Sequence, residues 1–185
     1  MGLHHGSKGF RNVPLFETVT DLDDGAEVLR RRAYGVIEAV GGRFRRVVLR
    51  PFPKLISVPE ILLLGGWHHL RQPGDRCLLY YNQPRRSPNF LVVKYAISAR
   101  GTSYKTSRRV AEALDEIARL KGSDALLCDV ANGRISRRMM SRWGWEPHCP
   151  SRWHRHYIKR FYGEYPPAAA WIAPAAEPAI ELVTV

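Results

Sequence analysis

The sequence predicts an α/β (α+β) domain, and three observations carry that prediction. Residues 89–147 alternate strand and helix character: FLVVKYAIS, ARGTSYKTS, RRVAEALDEIARLKG, ALLCDV, NGRISRRMMSRWG and a last strand opening with WEP. Within that stretch Val110, Ala113, Leu114, Ile117 and Leu120 recur at helical spacing, which predicts an amphipathic helix over 107–121. CLLYY and FLVVKYAIS, joined by the turn-rich NQPRRSPN, read as the two strands of an antiparallel hairpin.

The remaining elements follow in chain order. Residues 1–20 lack periodicity and are expected to be a loose lead-in to a domain over 21–164. Asp21, Asp23 and Asp24 complement a helix start, and Leu29, Ala33, Ile37 and Val40 fall on one face before Gly41 and Gly42, so a helix is expected there. RFRRVVLRPF over 43–52 is rich in strand formers, and Pro51 and Pro53 end it. Ser57 and Glu60 have capping-box spacing with Pro59 in the first turn, predicting a helix from about residue 58. Gly122 stops the 107–121 helix. After Asn132 a shorter helix places Ile135, Met139 and Trp143 at four-residue spacing, and WEPH and HRHYIKRFY supply a closing strand pair. Residues 165–185, rich in Pro and Ala, read as a flexible tail.

Composition narrows the class. The chain has 185 residues and 45% apolar content, enough for one buried core. No apolar run approaches the roughly 20 residues that span a bilayer, and MGLHHGSKGF lacks a signal-peptide core, so a cytoplasmic protein without membrane partners is expected. Cys77, Cys128 and Cys149 are odd in number and widely spaced, which excludes a disulfide framework. The net charge of +12 points to an anionic partner: nucleic acid, a ribosome or a phosphorylated cofactor.

The turn Arg100, Gly101, Thr102, Ser103, Tyr104, Lys105, Thr106, Ser107 feeds the long helix. Such a turn presents unpaired N–H groups and a positive dipole end to a phosphate. Asn132, at a strand end, reads as a helix N-cap. His148, Cys149, His154 and His156 cluster in sequence, but their spacing matches no standard zinc finger and no metal is expected; His154 and His156 share a strand face. SRWHRHYIKRFYGEY interleaves basic and aromatic residues, so Trp153, Tyr157 or Phe161 are candidates to stack on unpaired bases.

On these elements, from about Arg46 to Tyr162, the chain resembles the Gcn5-related N-acetyltransferase (GNAT) superfamily. VVLRPF looks like that family's first strand, residues 90–122 like its coenzyme A segment, and NGRISRRMMSRWGWEP like its Asn-helix-Gly-aromatic element. The resemblance implies a central mixed, mostly antiparallel sheet flanked by helices, with an extra N-terminal helix. It also implies acetyl-CoA or another acyl-CoA as co-substrate, an amine acceptor, and direct attack in a ternary complex. The pyrophosphate would lie on the turn amides, which follow Q/R-x-x-G-x-G/A in the family; here Ser103 stands at the first glycine and Lys105 at the second. Asn132 would contact the pantetheine arm or organise the acyl site. The family's proton-donating Tyr, four residues before the Gly of the Gly-aromatic pair, is Met140 here, so no catalytic residue is assigned. Tyr104 and Cys128 are the alternative acids, Glu146 and Glu60 the candidate bases. A second reading is a non-catalytic protein of the same fold that binds nucleic acid or ribosome through its arginines.

Overall fold

The computed structural model describes residues 15–53, 74–130, 135–149 and 154–167. The helix expected from residue 58, Asn132, Trp153 and residues 168–185 lie outside them. Eight strands form one sheet: β1 (Glu17–Val19), β2 (Tyr34–Val40), β3 (Arg43–Arg50), β4 (Arg76–Asn82), β5 (Phe90–Ser98), β6 (Ala125–Asp129), β7 (Glu146–Pro147) and β8 (His156–Arg160). Their spatial order is β1-β3-β2-β4-β5-β6-β8-β7. Every neighbouring pair is antiparallel except β5–β6, so the sheet is mixed and mostly antiparallel. Among the described residues three helices accompany it: α1 (Ala26–Arg31), α2 (Tyr104–Lys121) and α3 (Arg137–Arg142).

The helix α2 is the spine of the core. Its stripe of Val110, Ala113, Leu114, Ile117 and Leu120 is buried against β2, β3 and β4, where Ile37, Val47, Leu49, Leu79 and Tyr81 complete one cluster. Burial of each such large side chain contributes roughly 1.5–3 kcal/mol. Ser103 caps the helix start by accepting from Thr106 N, and Gly122 ends it in the left-handed region at φ 64. The start falls at Tyr104, three residues before the position that apolar periodicity marks, because a side-chain cap extends a helix beyond its buried stripe. The short α1 lies beside the other end: Arg30 Nε donates to Leu120 O at 2.9 Å and Lys121 Nζ to Arg32 O at 2.8 Å.

Two expectations are corrected. The helix predicted over 21–40 is confined to the six residues of α1, and Tyr34–Val40 form a strand. Four-residue spacing of Leu29, Ala33 and Ile37 fits a helix as well as a helix followed by a strand. Gly41 and Gly42 decide the matter, with φ 58 and 75. They form a two-residue hairpin turn that pairs Val40 with Arg43, a geometry that needs positive φ at both central positions. The VVLR of VVLRPF therefore lies in the third strand of the described chain, which ends at Arg50 before Pro51. The lead-in also contributes structure, since Glu17, Thr18 and Val19 pair with Leu49, Val48 and Val47.

A Cβ built on Gly35 of β2 would come within 2.6 Å of the Tyr81 ring and hydroxyl, and Tyr81 is fully buried. Gly35→Ala is expected to cost about 1–3 kcal/mol by overpacking; urea unfolding followed by circular dichroism measures it, and an unchanged midpoint would contradict this packing.

Candidate functional site

The turn before α2 is built from two long-range contacts. Ser103 N donates to Asp75 Oδ1 at 2.7 Å and Ser103 Oγ to Asp75 Oδ2 at 2.8 Å. Thr106, with no exposed surface, accepts from Gly42 N through its hydroxyl at 2.6 Å. Thr102 Oγ1 donates to Arg76 O at 2.7 Å. The turn is thereby fastened to the β2–β3 hairpin tip on one side and to the entry of β4 on the other. Ser103 sits at φ −72, ψ 157, extended backbone that a serine adopts without strain.

The predicted turn residues do come together, in two groups. Thr102, Ser103, Thr106 and Ser107 are engaged within the turn and with Asp75, Arg76 and Gly42. Arg100, Gly101, Tyr104 and Lys105 are exposed. The Lys105 stem lies over Gly42, whose built Cβ would meet Lys105 Cδ at 2.6 Å. Tyr104 and Lys105 occupy the first two helical positions, whose amides have no intrahelical acceptor. Hydrogen bonds from the Thr106 hydroxyl first and the Ser103 amide second hold the Asp75 carboxyl below its usual pKa. A carboxylate of this chain therefore already holds part of this turn.

The second element of the site is a fork in the sheet. The β5–β6 ladder pairs Phe90, Leu91, Val92 and Val93 with Ala125, Leu126, Leu127 and Cys128, and stops. Beyond it β5 continues to Ser98 paired with β4, while β6 continues to Asp129 paired with β8. At the branch point β5 carries an irregularity: Tyr80 pairs with Tyr95 and Tyr81 with Val93, leaving Lys94 as the extra residue. A bulge of this kind increases local twist and bends the strand, which accounts for β5 leaving β6. The fork opens at the C-terminal ends of a parallel pair, where open α/β sheets place their ligands.

No protein-family model matches this sequence, and no curated protein matches it in sequence. Among solved structures, this chain is similar to acetyltransferases. A protein assigned to the GNAT acetyltransferases from Desulfovibrio desulfuricans matches at TM-score 0.42 and 15% identity, over 78% of this chain and 97% of that one. A nourseothricin acetyltransferase matches at TM-score 0.37 and 14% identity, over 80% and 99% respectively. A protein assigned as a streptothricin acetyltransferase from Bacillus anthracis, solved in complex with acetyl coenzyme A, matches at TM-score 0.37 and 8% identity, over 83% and 90%. The structural neighbours of this chain are GNAT acetyltransferases.

Met140, which the sequence resemblance sets where the GNAT family carries its proton donor, is 4% exposed and belongs to the core. Ile135 and Trp143 of the predicted stripe pack, partly buried, against the core, and between them Met140 rather than Met139 is the buried residue of α3. Of the alternative acids, Cys128 is pushed up to about 12, first by burial and then by the Asp129 charge, so it keeps its proton. The Tyr104 hydroxyl accepts from Trp143 Nε1 at 2.9 Å. Glu146 is exposed and paired with Arg160 at 2.7 Å; Glu60 lies outside the described residues. Tyr157 and Phe161, candidates for base stacking, are 4% and 3% exposed and pack in the core, which removes them from that role.

A groove of about 670 Å³ opens between α2, α3 and β8, lined in part by Tyr104, Arg108, Arg142, Trp143 and Lys159. At its base Lys159 Nζ contacts Asp115 at 2.7 Å; burial pushes the Asp115 carboxyl up, and Lys159 opposes that shift. Asp75 and the fork were the parts sequence reasoning missed. Asp75 carries no local signal because its partners lie 28 residues away, whereas the Lys94 bulge depends on the pairing of two whole strands.

Because the Asp75 pKa is depressed on folding, its contribution to stability is complete above the unfolded value of about 3.9 and is lost as pH falls through the lower folded value. Asp75→Asn is expected to flatten the acid limb of the pH–stability curve, measured by thermal melts from pH 2 to 6. Parallel curves for the two proteins would contradict the assignment.

Proposed function

We propose that this chain is an acyl-CoA-dependent N-acyltransferase that passes an acetyl group from acetyl-CoA to an amine by direct attack. The observation that carries the reading is the continuity of fork and turn: the strand that leaves the β5–β6 ladder after Val93 leads through residues 99–103 into the start of α2. From Lys94 to Ser98 that edge runs roughly 13 Å, four strand rises. Its extended course suits an extended arm containing amides laid alongside it, in the manner of an added strand. Coenzyme A joins such an arm to a pyrophosphate, which suits the N-terminus of α2.

In this reading residues 100–107 hold the pyrophosphate. The Tyr104 and Lys105 amides and the Lys105 ammonium carry the contact, since Asp75 holds the Ser103 amide. Asn132 would organise the acyl end. The groove beside the helix start suits the nucleotide end, with Tyr104 and Trp143 to stack and Arg108 and Arg142 to meet phosphate. The amine nitrogen attacks the thioester carbonyl carbon, the C–N bond forms, the C–S bond breaks, and the proton released by nitrogen reaches the departing thiolate through solvent. With Met140 at the donor position, acceleration rests on alignment of the two substrates.

Acetyl-CoA at a hundredfold excess over its Kd adds about 2.7 kcal/mol of stability, a rise in melting temperature on the order of 5 °C or more for a domain of this size. That rise is expected for the natural sequence and is expected to vanish in Lys105→Glu. No rise with any acyl-CoA, together with salt-sensitive retention on RNA, would favour the non-catalytic nucleic-acid binder instead.

A further inference from the structure

The closing strand pair gathers residues that are distant in sequence. Asp129, the last residue of β6, pairs directly with His156, the first of β8. Directly opposed residues of an antiparallel pair put their side chains on one face. His154, two residues before His156, lies against the same carboxylate, with Nδ1 2.8 Å from Asp129 Oδ2. The two imidazoles are stacked, with centroids 5.4 Å apart and an interplanar angle of 19°. One nitrogen from each histidine and one carboxylate oxygen all lie within 4.8 Å of one another.

We propose that Asp129, His154 and His156 form a binding site for a divalent transition-metal ion, zinc first among them. Two imidazoles and one carboxylate make a donor set for borderline ions, whereas magnesium and calcium take oxygen ligands. Zinc bonds of about 2.0–2.1 Å set ligand atoms roughly 3.3–3.5 Å apart in a tetrahedron. Here Asp129 Oδ2 and His154 Nδ1 are 2.8 Å apart, and the three ligand atoms all lie within 4.8 Å of one another. Asp129 and His154 are exposed, so small rotamer shifts bring them to it without moving a strand. The backbone beneath is fixed on both sides of the cluster: Val130 N donates to Arg155 O at 3.0 Å and His148 N to His156 O at 2.8 Å. Arg155, between the two histidines, turns its guanidinium away to Val130 O and Ile135 O, at 3.1 and 3.0 Å. Three protein ligands leave a coordination position for water or a substrate atom. Asp129 itself lies one residue beyond the last β5–β6 pair, Val93–Cys128. The proposal stands on the cluster itself and does not depend on the acyltransferase reading.

The test uses the full chain, stripped with chelator and titrated with Zn²⁺ by calorimetry, with Co²⁺ as a spectroscopic probe. Because His4, His5, His68 and His69 also bind metal ions in principle, the readout is the difference between variants. The natural sequence is expected to bind one equivalent that survives in His4→Ala/His5→Ala and in His68→Ala/His69→Ala. That equivalent is expected to weaken in His154→Ala, in His156→Ala and in the near-isosteric Asp129→Asn. The loss in each should be no smaller than the roughly 10–100-fold that removing an outer hydrogen-bond partner costs a metal site. Circular dichroism confirms that each variant is folded, with Asp129→Asn the least perturbing. Unchanged affinity and stoichiometry in all three would overturn the proposal and leave His154 and Asp129 as a hydrogen-bonded pair.

Discussion

The hydroxyl of Thr106 lies at a junction on which three parts of the molecule depend. It receives the Gly42 amide from the hairpin tip and contacts the Ser103 hydroxyl, which in turn donates to Asp75 at the entry of β4. A buried hydroxyl satisfied in this way is worth far more than its net hydrogen-bond energy, because leaving any of these groups unpaired would cost roughly 1–3 kcal/mol each. The network sets where α2 begins, and α2 in turn presents the apolar stripe on which β2, β3 and β4 close. Position and direction of the helix start, the feature most relevant to an anionic ligand, are thus fixed by contacts made before any ligand arrives.

The same network has an electrostatic side. A helix start attracts negative charge through its dipole and its unpaired amides. Asp75 satisfies part of that attraction from within the chain, so a phosphate arriving there meets fewer open donors and a resident charge of its own sign. The arginines and Lys105 around the turn offset that repulsion. The basic balance of the sequence, with 29 basic against 17 acidic residues, is in keeping with such a surface.

Much of this architecture is legible in the sequence where local rules act alone. The α2 stripe, its Gly122 stop and the β4–β5 hairpin are each dictated by neighbouring residues, and each is observed. Misreadings fall where one local pattern serves two structures. Apolar residues four apart before Gly41-Gly42 suit both a helix with a glycine stop and a strand entering a two-residue turn, and only pairing with β4 through Tyr34 to Val40 selects the second. The candidate site was half legible. Its turn is contiguous in sequence, but Asp75, the Lys94 bulge and the meeting of Asp129 with His154 are products of strand register, which no window of a dozen residues contains.

The brevity of the β5–β6 ladder has a mechanical meaning as well. Four residue pairs join a plate of five strands, β1-β3-β2-β4-β5, to a plate of three, β6-β8-β7. Across that seam the described contacts include the packing of Leu91 with Leu126 in the core and the tie between Asp115 of α2 and Lys159 of β8. A sheet is stiffest where its rungs are continuous, so shear and twist concentrate at this seam. A molecule lying in the fork would act as the missing rungs, and its own rigidity would become part of the stiffness of the protein.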